Sequence, residues 1–116
     1  MKTYQGSCHC QSVLFEVSCE INMAYRCDCS LCIRKGALMV YAQETDYTLL
    51  AGQQNLSMYQ FNTHTAAHYF CKTCGVYTFH KTRTKPGMFG FNAGCLAELD
   101  VMGLPVEIIH GAELKI

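Results

Sequence analysis

The segment YRCDCSLC, residues 25–32, carries three of the nine cysteines of the chain within six positions. In an extended segment residues i and i+2 face the same side, so the thiols of Cys27 and Cys29 can converge on one metal ion. A tight turn after Cys29 would bring Cys32 to the same point. Zinc held by only three protein side chains keeps a fourth position open, which is the arrangement of catalytic sites. We therefore predict that this segment is the reactive centre and that the other cysteines mainly stabilise the fold around it.

Four other cysteines occur as a C-x-C unit, Cys8 and Cys10, and a C-x-x-C unit, Cys71 and Cys74. Together they make a complete four-thiolate set, which is the structural type of zinc site and contributes folding free energy directly. The spacing alone equally permits the C-x-C unit to join the first two thiols of residues 25–32. At this point the pairing of the units stays open.

The alternative for residues 25–32 is a closed site that takes Cys19, Cys95 or a histidine as its fourth ligand. A solitary cysteine is more often a small buried hydrophobic residue than a ligand. Of the five histidines, only His64 and His68 stand at a ligand-like spacing, and that i, i+4 pair would need a helix where the sequence favours a loop and then a strand. The open site with three cysteines is therefore favoured.

The composition favours a single metal-stabilised domain, residues 1–116, in a reducing compartment. Nine acidic and nine basic residues balance, so no overall attraction to nucleic acid or to an anionic membrane is expected. No apolar run is long enough to span a bilayer, and the N-terminus MKTYQGSCHC lacks the apolar stretch of a secretory signal. An odd number of closely spaced cysteines without an export signal indicates metal sites rather than disulfides, and a cytoplasmic protein.

Short apolar segments, several with alternating polarity, predict an all-β fold, an open sandwich or barrel of short antiparallel strands. No sustained helical periodicity is present, although Ile33–Gly36 is predicted to be a turn or single helical turn that the glycine ends. Residues 52–55, GQQN, are predicted to be a hairpin loop. The predicted strands are Met1–Gly6, Val13–Ser18, Ala37–Ala42, Tyr47–Ala51, Leu56–Phe61, Ala66–Phe70, Val76–His80, Met88–Ala93 and Val106–His110. The aromatic residues at strand spacing in the second half, Tyr77, Phe79, Phe89 and Phe91, are predicted to be core.

Four motifs occur in a fixed order: G-x-C-H-C at residues 6–10, C-x-C-S-x-C at 27–32, F-C-x-x-C-G at 70–75 and N-x-G-C-L at 92–96. With them the sequence resembles the glutathione-dependent formaldehyde-activating enzyme family, which also includes centromere protein V. The resemblance implies a zinc-stapled fold of the β-tent type, shared with a small exchange chaperone of Rab GTPases. It also implies two zinc ions, one structural and one catalytic. The implied structural ligands are Cys8, Cys10, Cys71 and Cys74, and the implied catalytic ligands are Cys27, Cys29 and Cys32.

The chain departs from the family at one position, because Gln11 stands where the family often has glycine after the first C-x-C. It is also compact, with little room for further loops that would enclose a tripeptide.

The chemistry of a three-thiolate zinc favours a sulfur ligand over water, because thiolate donation makes the ion a weaker acidifier of water than a three-histidine zinc. The expected activity is that of a carbon–sulfur lyase resembling S-(hydroxymethyl)glutathione synthase, acting on the adduct of glutathione or a similar thiol with formaldehyde or another aldehyde. The partner is then a small thiol or its adduct. The alternatives are a non-enzymatic zinc-stabilised binding module and a redox or metal-buffering protein.

Several polar residues flank the reactive segment. Arg26, Arg34 and Lys35 are suited to binding the carboxylates of a glutathione-like thiol, but we favour the interpretation that they are solvated surface charges. Ser30 is a candidate hydrogen-bond donor to the sulfurs.

Overall fold

The structure is a computed structural model that describes residues 1–61, 63–83 and 85–113. Strands dominate the described residues, which also contain one four-residue helix and several short 3-10 turns. No helix among them is long and apolar enough to cross a membrane. The strands are β1 (Lys2–Ser7), β2 (Leu14–Cys19), β3 (Ala24–Cys27), β4 (Met39–Gln43), β5 (Tyr47–Ala51), β6 (Leu56–Tyr59), β7 (Ala67–Cys71), β8 (Tyr77–Lys81), β9 (Met88–Asn92) and β10 (Val106–Ile109), and the helix α1 is Cys32–Lys35.

The strands form two open sheets, so the predicted all-β class is confirmed. A three-stranded sheet has the order β1-β2-β5, and a seven-stranded sheet has the order β10-β3-β4-β9-β8-β7-β6. Neither sheet closes on itself, and the hydrophobic core lies between them. This arrangement leaves the other face of the large sheet available for a site.

The core is built on the alternation that the sequence of β2 predicts. Phe15 and Val17 are fully buried, whereas their neighbours on the strand are only partly buried. The ring of Phe15 lies 5.9 Å from that of Phe79 and 5.7 Å from that of Phe91, which come from the large sheet. Because these rings join strands that are far apart in sequence, their packing fixes one sheet against the other.

The predicted antiparallel pairing holds for every strand pair of the described residues except that of β10 with β3, which is parallel. The amide of Ala24 also donates to the carbonyl of Pro105, which extends this pairing beyond the strand. A parallel pair needs a long crossover connection, and the chain between β3 and β10 includes most of the domain. The last strand therefore lies directly beside the one that ends at Cys27.

The predicted hairpin between β5 and β6 is also wrong. β5 pairs with β2 in the small sheet, and β6 pairs with β7 in the large one. Gly52 adopts a left-handed conformation with φ of 92° and lies so close to the backbone of Ser12 and Val13 that a Cβ would overlap it. The segment is therefore a corner between the two sheets, since close packing against a distant loop outweighs the local preference for a hairpin.

Gly6 leads to a first testable prediction, because it is paired with Phe15 and a Cβ at this position would overlap the Phe15 ring. Gly6→Ala is expected to lower the free energy of unfolding by about 1–3 kcal/mol, the usual cost of overpacking a core. Urea unfolding followed by circular dichroism measures this change. Gly94→Ala is the control, since a Cβ there meets its nearest atom at 3.4 Å; it should change stability by less than about 0.5 kcal/mol. Equal stabilities of the two variants would contradict the prediction.

Candidate metal centres and the cavity beside them

The first centre consists of the two cysteine pairs whose partnership the sequence left open. The Sγ atoms of Cys8, Cys10, Cys71 and Cys74 all lie within 4.8 Å of one another. The Cys10 sulfur is 3.7 Å from those of Cys8 and Cys71, close to the separation of about 3.8 Å that tetrahedral zinc with Zn–S bonds of about 2.3 Å requires. The structure thus brings these four together and keeps residues 27–32 apart from them.

Two tight turns bring the four sulfurs together. After Cys8, the chain turns through Gln11, whose φ of 65° is left-handed, a conformation that glycine adopts most easily. After Cys71, the turn ends at Gly75, with φ of 75°, whose amide donates to the Cys71 carbonyl. Each turn thereby presents its two thiols on the same side.

Hydrogen-bond donors point at the sulfurs of this centre. The amide of Val13 lies 3.4 Å from the Cys8 sulfur, and the Asn55 side-chain amide lies 3.2 Å from the Cys71 sulfur. Backbone amides also hold the pKa of Cys74 down at about 6, while burial raises that of Cys8 to about 11. Four sulfurs this close, with no oxygen or nitrogen ligand among them, form a donor set suited to a thiophilic cation such as zinc.

The second centre consists of Cys27, Cys29 and Cys32, whose Sγ atoms also lie within 4.8 Å of one another. Cys27 ends β3 and Cys32 begins α1, the single helical turn that the sequence predicts. Gly36, with φ of 66°, ends this turn by donating its amide to the Cys32 carbonyl. The predicted convergence of an extended C-x-C and a following turn is therefore present.

Backbone amides supply the hydrogen bonds to the sulfurs of the second centre. The Cys32 amide lies 3.3 Å from the Cys29 sulfur, and the Cys29 amide lies 3.5 Å from the Cys27 sulfur. Burial raises the pKa of both Cys29 and Cys32, but for Cys29 hydrogen bonds from the Cys32 amide, from the neighbouring thiols and from the Leu31 amide together outweigh it, and the net shift is downward. Ser30, which the sequence suggested as a donor, is exposed and makes no side-chain hydrogen bond within the described residues.

Within residues 1–61, 63–83 and 85–112, no fourth cysteine, histidine or carboxylate joins this group. Cys19 and Cys95, the cysteines considered for that role, lie in the hydrophobic core instead. Burial raises the pKa of Cys95 to about 12, as is typical of an inert structural thiol. The described part of the chain therefore provides three sulfurs and leaves one side of the group uncovered by protein ligands.

A cavity of about 990 Å³ opens on this side. All three cysteines line it, and its walls come mainly from the face of the large sheet that points away from the core. The volume lies at the upper end of the range of small-molecule sites, about 300–1,000 Å³. It forms without long enclosing loops, although the sequence suggested little room for a tripeptide. Its other lining side chains include Tyr25, Tyr41, Phe61, His68, His80, Arg83, Lys85 and Glu107.

The cavity wall contains a row of residues that the sequence did not single out. Tyr41, Gly90, His80 and His68 are cross-strand neighbours in β4, β9, β8 and β7. A Cβ at Gly90 would overlap the His80 ring, so the glycine makes room for that ring. His64, the proposed metal partner of His68, stands in a turn with φ of 55° and belongs to neither cysteine group. Strand pairing, which the sequence does not reveal, creates this row.

Lys35 corrects the interpretation that the flanking cations are all solvated. Its Nζ lies 3.6 Å from the centre of the Tyr77 ring and 4.0 Å from the Met39 sulfur, and burial lowers its pKa. Tyr77, which the sequence placed in the core, lies instead under Lys35 of α1 and is not part of the core cluster between the sheets. Arg26 and Arg34 are exposed, as expected, and Arg34 donates to the Ser30 carbonyl.

The segment after β10 lies against the second centre. Asp28 accepts a hydrogen bond from the Ala112 amide, which lowers the pKa of its carboxyl group, and pairs with His110 at 3.1 Å. These contacts bring Gly111 so close to Cys27 that a Cβ on the glycine would overlap the Cys27 sulfur. The Cys27 sulfur can therefore occupy its position only because Gly111 has no side chain.

Gly111→Ala is expected to weaken metal binding at the second centre by about tenfold or more, because the overlap costs about 1–3 kcal/mol and 1.4 kcal/mol is tenfold. Competition with a chromogenic chelator measures both metals separately. Ala112→Gly is the control, because it adds no atom and keeps the amide that binds Asp28. Unchanged affinity in Gly111→Ala would show that Cys27 can shift without loss.

Comparison with known proteins finds one matching family and a similar solved structure. Residues 3–110 match the family described as glutathione-dependent formaldehyde-activating enzyme. A crystal structure of a Rhodobacter sphaeroides protein is similar to this chain, with a TM-score of 0.82 and 41% sequence identity. That similarity covers 89% of this chain and 99% of the other. With a family match over nearly its whole length, the chain belongs to the glutathione-dependent formaldehyde-activating enzyme family.

Proposed function

We propose that this protein binds two zinc ions and catalyses the reversible cleavage of the carbon–sulfur bond in a thiol–aldehyde adduct. The favoured substrate is the adduct of glutathione with formaldehyde, and the favoured location is the cytoplasm. The structural zinc ligands are Cys8, Cys10, Cys71 and Cys74, and the catalytic zinc ligands are Cys27, Cys29 and Cys32. The observation that carries the proposal is the group of three thiols whose uncovered side faces the 990 Å³ cavity.

The donor set of the second centre fits a thiophilic metal, because its described ligand atoms are all sulfur. A zinc ion bound there would supply a position for a sulfur ligand and would lower the pKa of that sulfur. The residues of the chain have separate roles. Backbone amides stabilise the cysteine thiolates, and the cavity walls orient the adduct and limit its contact with water.

Four charged side chains line the cavity, the acids Glu20 and Glu107 and two cations that suit a substrate with carboxylates. Arg83 and Lys85 line it, and both follow β8. Arginine and lysine are the usual partners of carboxylates in binding sites, so these side chains are suited to the two carboxylates of glutathione. A small thiol without carboxylates should then bind less tightly than glutathione, while the chemical step is unchanged.

The test combines a metal count with an exchange measurement. Native mass spectrometry is expected to give two zinc ions per chain, with all seven thiols of the two centres protected from alkylation. Exchange spectroscopy by NMR at equilibrium measures the interconversion of adduct with free thiol and aldehyde, which the protein should accelerate. Cysteamine, which lacks carboxylates, is the matched thiol for glutathione.

Three results would overturn the proposal. A single zinc ion per chain, or a disulfide within residues 27–32, contradicts the assignment of ligands. No acceleration with any thiol and aldehyde pair contradicts the activity and favours the alternative, a non-enzymatic zinc-stabilised binding module.

A further inference from the structure

A half-buried tyrosine connects two histidines of the cavity wall. The hydroxyl of Tyr77 lies 2.7 Å from Nδ1 of His80 and 3.0 Å from Nδ1 of His68. Both histidines are more than nine-tenths buried, at 8% and 7% exposure, and both line the cavity that the second metal centre faces. The hydroxyl has no other hydrogen-bond partner among the described residues.

The position of Tyr77 depends on an irregularity in the sheet. Residues three apart on a regular strand face opposite sides, so Tyr77 would not reach His80. The pairing of β7 with β8 shifts register between Tyr69 and Phe70, next to Tyr77. A bulge of this kind re-aims a side chain, and here it turns the Tyr77 hydroxyl toward both histidines.

The two hydrogen bonds of the Tyr77 hydroxyl restrict which ring nitrogens of His68 and His80 can carry a hydrogen. A tyrosine hydroxyl donates one hydrogen and accepts with its oxygen lone pairs. If it donates to one Nδ1, the other Nδ1 must carry a hydrogen, since two lone pairs would otherwise face each other. The 2.7 Å contact has the usual length of an O–H donor bond, and the 3.0 Å contact has that of an N–H donor bond. On the assignment in which the shorter contact is the O–H donor bond, Tyr77 donates to His80, and His68 donates to Tyr77.

The far nitrogens of the two rings then have opposite properties. His68 carries its hydrogen on Nδ1, so its Nε2 is an acceptor, whereas His80 carries its hydrogen on Nε2 and is a donor there. Neither Nε2 has a hydrogen-bond partner among the described residues. Every fully buried side-chain nitrogen or oxygen atom of those residues has a partner, so neither Nε2 is fully buried. Both Nε2 atoms are therefore accessible from the cavity that the two residues line.

We propose that His68, Tyr77 and His80 form a proton-transfer chain that takes a proton from the substrate at Nε2 of His68 and delivers one at Nε2 of His80. This role rests on the proposed function. It makes the two histidines a general base and a general acid in one neutral group, in addition to the metal centre.

The reaction balances without another reactant. In the cleavage direction the adduct hydroxyl loses its proton to His68 Nε2, and the electron pair of that O–H bond forms the C=O bond of the aldehyde. The C–S bond breaks, its electron pair stays on sulfur, and the proton from His80 Nε2 completes the thiol. Within the chain, the His68 Nδ1 proton passes to Tyr77 and the Tyr77 proton passes to His80 Nδ1. Both rings end in the other tautomer, and the formation direction or exchange with cavity water restores them.

The surroundings favour a chain in which no ring becomes charged. Burial lowers the pKa of His68 to about 4 and that of His80 to about 3, so both stay neutral near pH 7. The groups that face them are the Phe61 ring stacked on His68, the Tyr41 ring 6.1 Å from His80, and Lys35 over the Tyr77 ring. The positive charge of Lys35 further disfavours an imidazolium. Because one proton enters at His68 as another leaves from His80, neither ring has to become an imidazolium.

The first test needs no substrate and uses the wild-type protein loaded with zinc. Long-range ¹H–¹⁵N NMR spectra report histidine tautomers, and we expect His68 as the Nδ1–H form and His80 as the Nε2–H form from pH 5.5 to 8. The same tautomer for both rings, the opposite assignment, or an imidazolium at pH 7 would overturn the inference.

The second test is kinetic and uses Tyr77→Phe, which keeps the ring under Lys35 and removes only the bridging hydroxyl. General acid–base catalysis contributes about 10²–10⁴-fold, so the exchange rate at saturating substrate should fall at least about a hundredfold, with both zinc ions retained. Tyr69→Phe, the same change on the neighbouring strand outside the cavity lining, is the control and should keep the wild-type rate. His68→Ala should regain part of its lost rate when imidazole is added, which a merely structural residue would not do.

The outcomes separate this inference from the proposed function. A wild-type protein that accelerates exchange, together with Tyr77→Phe within about threefold of it, overturns the proton chain and leaves the lyase activity standing. A wild-type protein that accelerates no exchange overturns the lyase activity itself, and the chain's role with it.

Discussion

Cys71→Ser is expected to abolish the folded state rather than to weaken it. The Cys71 sulfur is fully buried, lies 3.7 Å from that of Cys10 and accepts a hydrogen bond from Asn55. Structural zinc contributes about 10–16 kcal/mol of apparent binding free energy in small peptides, whereas whole domains are stable by only about 5–15 kcal/mol. Loss of a zinc ion bound there would therefore remove a contribution as large as the whole stability of a typical domain. Amide NMR spectra and thermal unfolding should show a chain without dispersed signals and without a cooperative transition.

Cys19→Ser is the matched control for this experiment. Cys19 is also buried, at 5% exposure, but it belongs to the hydrophobic core and to neither cysteine group. The same change of sulfur to oxygen should cost about 1–3 kcal/mol there, the cost of burying a poorly partnered hydroxyl. Cooperative unfolding of Cys71→Ser with a stability close to that of the control would mean that the first centre does not stabilise the fold.

The sequence predicts where the strands of this protein lie better than it predicts which strands pair with each other. Continuous or alternating apolar segments locate nine of the strands to within a few residues, including Tyr47–Ala51 without error. The strand that sequence reasoning missed, Ala24–Cys27, has only four residues and too little alternation to be recognised. Its place depends on a parallel partner from the other end of the chain, Val106–Ile109, and no local pattern encodes that pairing.

The cysteine spacing predicts which neighbouring thiols lie on one side of the chain, because a local turn accompanies each cysteine unit. It leaves open which units meet, since Cys8 and Cys10 reach Cys71 and Cys74 only in the folded domain. No comparable local pattern of the sequence identifies the residues around the cavity. Tyr77 reaches His80 only through a register shift with β7, and Gly111 meets Cys27 only because β10 lies beside β3. These residues are at ordinary core or loop positions in the sequence, so only the assembled sheet reveals them.

Cys29→Ser is expected to remove the activity while leaving the fold intact, in contrast to Cys71→Ser. Cys29 is only partly buried, and a serine oxygen can still accept the hydrogen bond that the Cys32 amide gives its sulfur. Two sulfurs and a neutral hydroxyl are a much weaker donor set than three thiolates, because the hydroxyl lacks the charge and softness of a thiolate. Native mass spectrometry should therefore find one zinc ion per chain instead of two. Exchange between adduct and free thiol should fall to the uncatalysed rate.

The separation of the two centres is what makes this result informative. The four sulfurs of the first group include none from residues 27–32, so the structural metal should remain and the thermal midpoint should shift by only a few degrees. Cys19→Ser again provides the control, because it changes one thiol of the same chain and should keep both zinc ions and the wild-type exchange rate. If Cys29→Ser kept both metals and full activity, the sulfur at position 29 would not be a ligand, and the chemistry would have to be assigned to another part of the cavity. If it lost both metals and unfolded, the two groups would form one cooperative unit, and a purely catalytic role for Cys27, Cys29 and Cys32 would be wrong.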